Sequence, residues 1–166
     1  MKIECTSGRG NFQIVKGTFA VLKVDYTSWF SSKAEARYKG VNIEIQPQNF
    51  FRTKFGILKN GIPMGRINYH WKRTISINWI QEAGVAERSF LFRSRGAWKH
   101  RFELLDESDN LVLTMYPKWI WRKFDFDYDI EADINQFEEE TLTELLIYCG
   151  FAARLYKQKK AAASAG

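Results

Sequence analysis

The chain has 166 residues, which is enough for one ordinary domain and too few for two comfortable ones. Hydrophobic residues make up 45% and aromatics 16%, so a core of large rings can form without a metal or disulfide staple. The net charge of +6 is unevenly spread: residues 52–101 carry eleven basic groups against Glu82 and Glu87, whereas residues 102–144 carry three basic groups against thirteen acidic ones. Such asymmetry marks either an anion-binding face or two surfaces that attract each other.

The opening segment, MKIECTSGRGNF, has no apolar h-region, so a signal peptide is not expected. Cys5 and Cys149 stand near opposite ends of the chain. Two such cysteines make no disulfide framework and fit a reducing cytoplasm. From Val41 to Gln46 apolar and polar residues alternate strictly, and the same period of two returns at Thr74–Trp79 and Trp98–Leu104. The clearest case is Phe124–Glu131, where Phe124, Phe126, Tyr128 and Ile130 point one way and Asp125, Asp127, Asp129 and Glu131 the other. A half-buried antiparallel strand gives this pattern and a helix does not. Asn60-Gly61 is a two-residue hairpin signal, because a type I′ turn needs positive φ at both central positions. The segment Asp106–Asn110 and the glycines at 17, 40, 84 and 96 punctuate further strands. About 10–12 strands without helical crossovers are expected, closing into an antiparallel barrel or sandwich.

The alternation stops near Phe137. A helix over about 136–158 is expected, with Asn135 as N-cap, glutamates 138–140 in the first turn, and Lys157, Lys159 and Lys160 at its end. Between Leu142 and Tyr156 apolar residues cover every face, so this helix must be buried all round. Its uninterrupted apolar run, Leu145–Ala153, spans only about 13 Å, far short of the roughly 30 Å of a bilayer core. That length matches the depth of a barrel of short strands. The expected fold is therefore mainly β: one domain over residues 1–160, a closed antiparallel β-barrel around a buried hydrophobic C-terminal α-helix. The alternative is a sandwich with the helix on one face. Residues 161–166 read as a flexible Ala-rich tail.

From about Phe90 to Tyr156 the succession AWKHRFELLD, ESDN, LVLTMYPKWIWRKFDFDYDI, an acidic spacer and LLIYCGFAARLY resembles the tubby C-terminal superfamily. That group includes the LURP-one-related proteins and the phospholipid scramblases. The resemblance implies a tubby-like barrel around its last helix, binding of anionic phospholipid through basic groups, and a non-enzymatic role.

The residues themselves offer little catalytic chemistry. His70 and His100 are the only histidines, and neither has a zinc-ligand spacing. His100 shares the apolar side of its strand with Trp98 and Phe102, as a hydrogen-bonded interior histidine would. Asp125, Asp127 and Asp129 stand about 6.8 Å apart along one strand face, too widely for one calcium ion, and read as a solvated outer face. No cofactor, metal or catalytic residue is expected. The anion-binding candidates are Arg52, Lys54, Arg66, Lys72, Arg73, Arg93 and Arg95, gathered from several strands onto one barrel face. The expected partner is an anionic membrane lipid, with the protein cytoplasmic and peripheral at a membrane.

Two other classes stay open. Phe55, Tyr69, Trp71, Trp79 and Trp98 would form a stacking platform for single-stranded nucleic acid if exposed among the basic residues. Trp119 or Trp121 would anchor a protein partner or a homodimer. Lipid binding calls for basic residues on one face with few exposed rings, nucleic-acid binding for rings within that face, and a protein-interaction module for an apolar patch without strong charge.

Overall fold

The computed structural model describes residues 1–27, 32–96, 99–132 and 137–165. Alternating side chains build twelve strands: β1 (Lys2–Cys5), β2 (Phe12–Lys16), β3 (Phe19–Tyr26), β4 (Ala34–Tyr38), β5 (Val41–Pro47), β6 (Lys54–Lys59), β7 (Ile62–Tyr69), β8 (Thr74–Trp79), β9 (Arg88–Arg95), β10 (Arg101–Leu105), β11 (Leu111–Ile120) and β12 (Asp125–Ala132). Each pairs antiparallel with the next in the chain, and β1 returns to β12 through Lys2↔Asp129 and Ile3↔Tyr128. The sheet is thus a closed meander, which leaves no free edge to recruit a stray strand. A meander also sorts its connections by parity. Every loop that follows an odd-numbered strand lies at one end of the barrel, and every loop that follows an even-numbered strand lies at the other.

The turn chemistry explains the tight hairpins. Asn60 and Gly61 both have positive φ, at 49° and 81°, and join β6 to β7 as the sequence predicts. Lys39-Gly40 makes the equivalent turn between β4 and β5, although a lysine is no usual choice for φ 48°.

The last element, α1 (Glu139–Ser164), fills the barrel. Of its residues Thr141–Tyr156, all are buried except Glu144 and Arg154, over about 24 Å of helix. They meet strands on opposite sides of the wall: Tyr148 packs edge-on against Trp79 of β8, Phe151 edge-on against Phe55 of β6 and parallel to Tyr26 of β3, and Tyr156 edge-on against Phe102 of β10. Gly150 is required for this fit, because a Cβ there would stand 2.5 Å from the Phe12 ring. Burial of such rings on both partners is the main stabilising term, at roughly 25 cal/mol per Å² of apolar surface removed from water.

Several sequence expectations need correction. The helix begins at Glu139 with Glu138 as N-cap and no side-chain cap, while Asn135 lies outside the described residues. It continues to Ser164, so Ala161–Ser164 is helical and exposed, and its last turn holds no basic residue. Alanine has the highest helix propensity, which carries the helix on after its packing ends. Phe124 stands outside β12 with φ 50° and is exposed, because the β11–β12 turn uses it as the closing residue. Trp98 lies outside the described residues.

Candidate functional site

The two ends of the barrel differ in chemistry. Around the N-terminus of α1, lysines from three hairpins are paired with glutamates of the helix. Lys16 reaches Glu139, Lys39 pairs with Glu140, and Gln81 Nε2 donates to Thr141 Oγ1. Just inside, Lys59 Nζ lies 2.5 Å from Glu144, which also accepts a 2.6 Å hydrogen bond from the Tyr148 hydroxyl. This end is a polar plug.

Around the C-terminus of α1 the loops carry exposed rings instead. Phe50 and Phe51 cap the β5–β6 loop, Trp71 tips the β7–β8 turn at 99% exposure, and Trp121 and Phe124 flank the β11–β12 turn. Trp119, at the end of β11, braces this turn edge-on against Trp121 and Phe126. Among the described residues, Phe19 is the one exposed aromatic ring at the opposite end. Positive charge surrounds the rings: Arg52, Lys72, Arg73 and Arg122 are exposed on the same loops, and Lys159 and Lys160 project from the emerging helix. Lys159 Nζ donates to the Phe51 carbonyl at 2.6 Å, tying the helix to the β5–β6 loop. Burial and the neighbouring Arg52 charge hold its ammonium below the usual lysine value.

Between α1 and the wall formed by β10, β11 and β12 a cavity of about 810 Å³ opens at this end. Phe102, Pro117, Trp119, Phe126, Tyr128 and Tyr156 line it, and Lys99, Lys157 and Lys160 stand around its mouth. Lys157 is held by Asp125 and lies 4.7 Å from the centre of the Phe126 ring. Lys99 and Lys160 have no carboxylate within ion-pair distance among the described residues. His100 also lines the cavity, with Nε2 2.8 Å from Ser94 Oγ. Burial, assisted by the Lys160 charge, keeps its pKa below the usual histidine value, so it is neutral at pH 7.

A second buried cation lies on the far side of the helix. The Arg154 guanidinium stacks 3.6 Å from the centre of the Tyr26 ring, and its other face packs on Gly10, where a Cβ would collide at 2.0 Å. Its Nη1 and the Tyr26 hydroxyl are both buried, and neither has a hydrogen-bond partner among the described residues. Burial pushes the Tyr26 hydroxyl up, against the opposing charge of Arg154. Nearby, Cys5 is raised to about 11, first by burial and then by the Asp125 charge, so its thiol is a poor nucleophile at pH 7. Cys149 is pushed up further by burial alone.

The seven basic residues singled out from the sequence fall into two groups. Arg52, Lys72 and Arg73 stand on the β5–β6 and β7–β8 loops, and Lys54 opens β6, all at the ring-bearing end. Arg66 is paired with Glu87, 3.2 Å away. Arg93 and Arg101 both bond Glu103 on the barrel wall, and Arg95 approaches it at 3.8 Å. Burial alone would raise the Glu103 pKa, but the hydrogen bonds from Arg93 and Arg101 outweigh it and hold the carboxyl below its usual value.

Of the acidic ladder, the carboxylates are engaged rather than simply solvated. Asp127 accepts the Cys5 N–H at 2.8 Å where β1 leaves β12, Asp129 pairs with Lys118, and Asp125 turns towards Lys157 on α1. No cluster suited to a metal ion occurs among the described residues. Sequence reasoning missed the cavity and the basic residues Lys99 and Lys160 at its mouth. Phe55 and Trp79, which it offered to nucleic acid, are fully buried. No family model matches the chain, and no curated protein or solved structure matches it.

Proposed function

We propose that this protein is a non-enzymatic module that docks on anionic lipid surfaces through the barrel end from which α1 emerges. The observation that carries the reading is the coincidence, on that end, of exposed Phe50, Phe51, Trp71, Trp121 and Phe124 with Arg52, Lys54, Lys72, Arg73, Arg122 and Lys160, which are exposed and have no carboxylate within ion-pair distance among the described residues. Aromatic tips partition into the headgroup region of a bilayer, and each basic residue near an anionic surface adds about 1 kcal/mol. A phosphoinositide-like headgroup is the ligand class. The cytoplasmic leaflet is the compartment that offers such charge, which makes the protein peripheral there. The closed barrel around its helix is compatible with a tubby-like relationship, and that relationship is part of the same proposal. No described helix is long and apolar enough to cross a membrane.

A specific observation favours a second reading. Rings within a basic face were the expected mark of a nucleic-acid platform, and this face has more exposed rings than a purely electrostatic lipid contact needs. The rings stand on separate loop tips beside a deep apolar cavity, however, and that arrangement suits insertion into an interface better than base stacking along a groove. A protein-interaction surface is disfavoured by the density of unpaired charge.

Co-sedimentation with neutral phosphatidylcholine vesicles and with vesicles containing phosphatidylinositol bisphosphate, across a salt series, tests the proposal. Binding is expected to need the anionic lipid and to weaken as salt rises. Lys72→Glu with Arg73→Glu should lower affinity by roughly 30-fold, at about 1 kcal/mol per basic residue removed, and more as the sign reverses. Absence of vesicle binding at low salt overturns the reading, and retention of oligo-dT instead establishes the nucleic-acid one.

A further inference from the structure

The cavity between α1 and β10–β12 is not needed for a protein that only touches a membrane surface. At about 810 Å³ it falls in the size range of small-molecule sites, and its walls are rings from four separate elements. Phe102 comes from β10, Trp119 from β11, Phe126 and Tyr128 from β12, and Tyr156 from the helix. Most of this wall is aromatic face, with His100, Tyr116 and Ser164 as its further polar side chains besides the lysines. Charge is confined to one side. Lys99 and Lys160 stand at the mouth without carboxylate partners among the described residues, whereas Lys157 is already engaged by Asp125. An apolar wall with two unpaired ammonium groups at its rim is complementary to a molecule with the opposite distribution.

We propose that this cavity takes the hydrocarbon chain of a single-chain anionic amphiphile, with its carboxylate or phosphate held at the rim by Lys99 and Lys160. The ligand class rests on the anionic-lipid reading; the cavity adjoins the docking face through Trp119 and Lys160, but none of the exposed ring tips Phe50, Phe51, Trp71, Trp121 and Phe124 lines it. Ala161 and Ser164 of the exposed helix end edge the same opening. A ligand can therefore enter along the outer turn of α1 without the barrel opening. The chain source is either a free fatty acid in solution or a lysolipid drawn from a membrane, and these share one chemistry.

Isothermal titration calorimetry with octanoate, decanoate and dodecanoate, each below its aggregation concentration and without vesicles, tests the soluble source. Each added methylene should tighten binding about fourfold, hence on the order of 200-fold from octanoate to dodecanoate. Lys99→Glu with Lys160→Glu should weaken dodecanoate at least tenfold while sparing dodecanol, which has the chain but no charge. Ala161→Trp places an indole across the mouth from an exposed position, so it should abolish dodecanoate binding without changing the thermal melt. Binding that ignores chain length, or that survives Ala161→Trp, overturns the proposal.

Vesicles containing lysophosphatidic acid test the membrane source, read as transfer of a fluorescent lysolipid into the protein. Transfer blocked by Ala161→Trp supports the cavity, and transfer unaffected by it counts against the cavity. Phosphoinositide-vesicle binding without any dodecanoate or lysolipid binding sinks the cavity alone. Dodecanoate binding with no phosphoinositide-vesicle binding sinks the docking reading and leaves the cavity standing.

Discussion

The two ends of the barrel are built from the same meander and the same helix, yet one is sealed and the other is open. At the sealed end Lys16, Lys39 and Lys59 each meet a glutamate of the first two helical turns. At the open end the helix runs past the last packed ring, Tyr156, for two further turns, with Lys159 and Lys160 on its flank. Acidic residues at a helix N-terminus suit its dipole and draw in lysines from the loops around them. The other end is tied more sparsely, by Lys157 to Asp125 and by Lys159 to the Phe51 carbonyl, while its loops carry exposed rings and basic residues. The same helix thus anchors the barrel at one end and furnishes one side of a cavity at the other. A polar plug and an open, ring-bearing face are the two ways this barrel terminates: the plug exposes Phe19 and a few aliphatic residues, whereas the open end gathers exposed Phe50, Phe51, Trp71, Trp121 and Phe124 among exposed basic residues.

Removing equal charges from the two ends should expose the difference most strongly. Lys59→Ala strips the partner from a Glu144 that is only 12% exposed, and should cost about 2–3 kcal/mol in urea unfolding. Lys160→Ala, on the exposed helix end, should change stability by no more than about 0.5 kcal/mol. Equal losses would mean that the plug is not a plug.

Acid should act next, through the wall near the open end. Glu103 titrates below its unfolded value because Arg93 and Arg101 hold the carboxylate. Its contribution is therefore complete above the unfolded carboxylate pKa and is lost as pH falls through the lower folded one. Urea midpoints for Glu103→Gln and the native chain should converge in strong acid and diverge as pH rises above that range. A constant gap down to the lowest pH would contradict the Arg93–Glu103–Arg101 arrangement.

The smallest effect belongs to the rim of the sealed end. Lys39 and Glu140 are both more than half exposed, so Lys39→Ala should cost less than about 1 kcal/mol and lose even that in high salt. A larger, salt-insensitive cost would make the rim pairs part of the plug proper.

Much of the fold was legible because burial imposes a period. The strand Thr74–Trp79 matches its sequence pattern residue for residue, with Ile75, Ile77 and Trp79 buried. The helix announced itself by having no polar face, which only an enclosing wall can satisfy. Its limits were less readable, since Glu138 caps it without a side-chain bond and the alanines beyond Lys160 extend it without any packing. The basic end was half readable. Arg52, Lys72 and Arg73 stand on loop tips that turn signals could place, but no local pattern said that Arg66 and Arg93 would meet Glu87 and Glu103 across strands. The cavity was not readable at all, because its rings alternate inward on their strands as core residues do. Only the space left beside β10–β12 where α1 leaves the barrel distinguishes them.

Chain order gives the buried helix a further consequence. The ribosome delivers all twelve strands before α1, so during synthesis every inward-facing ring waits for its partner. Closure of β1 on β12 joins residues more than a hundred positions apart, a slow step that has little to gain until the lumen is filled. The nascent chain must therefore remain a set of unclosed, sticky hairpins until the last 26-residue helix has emerged. A cell that makes this protein has reason to keep a holdase chaperone close to the exit tunnel.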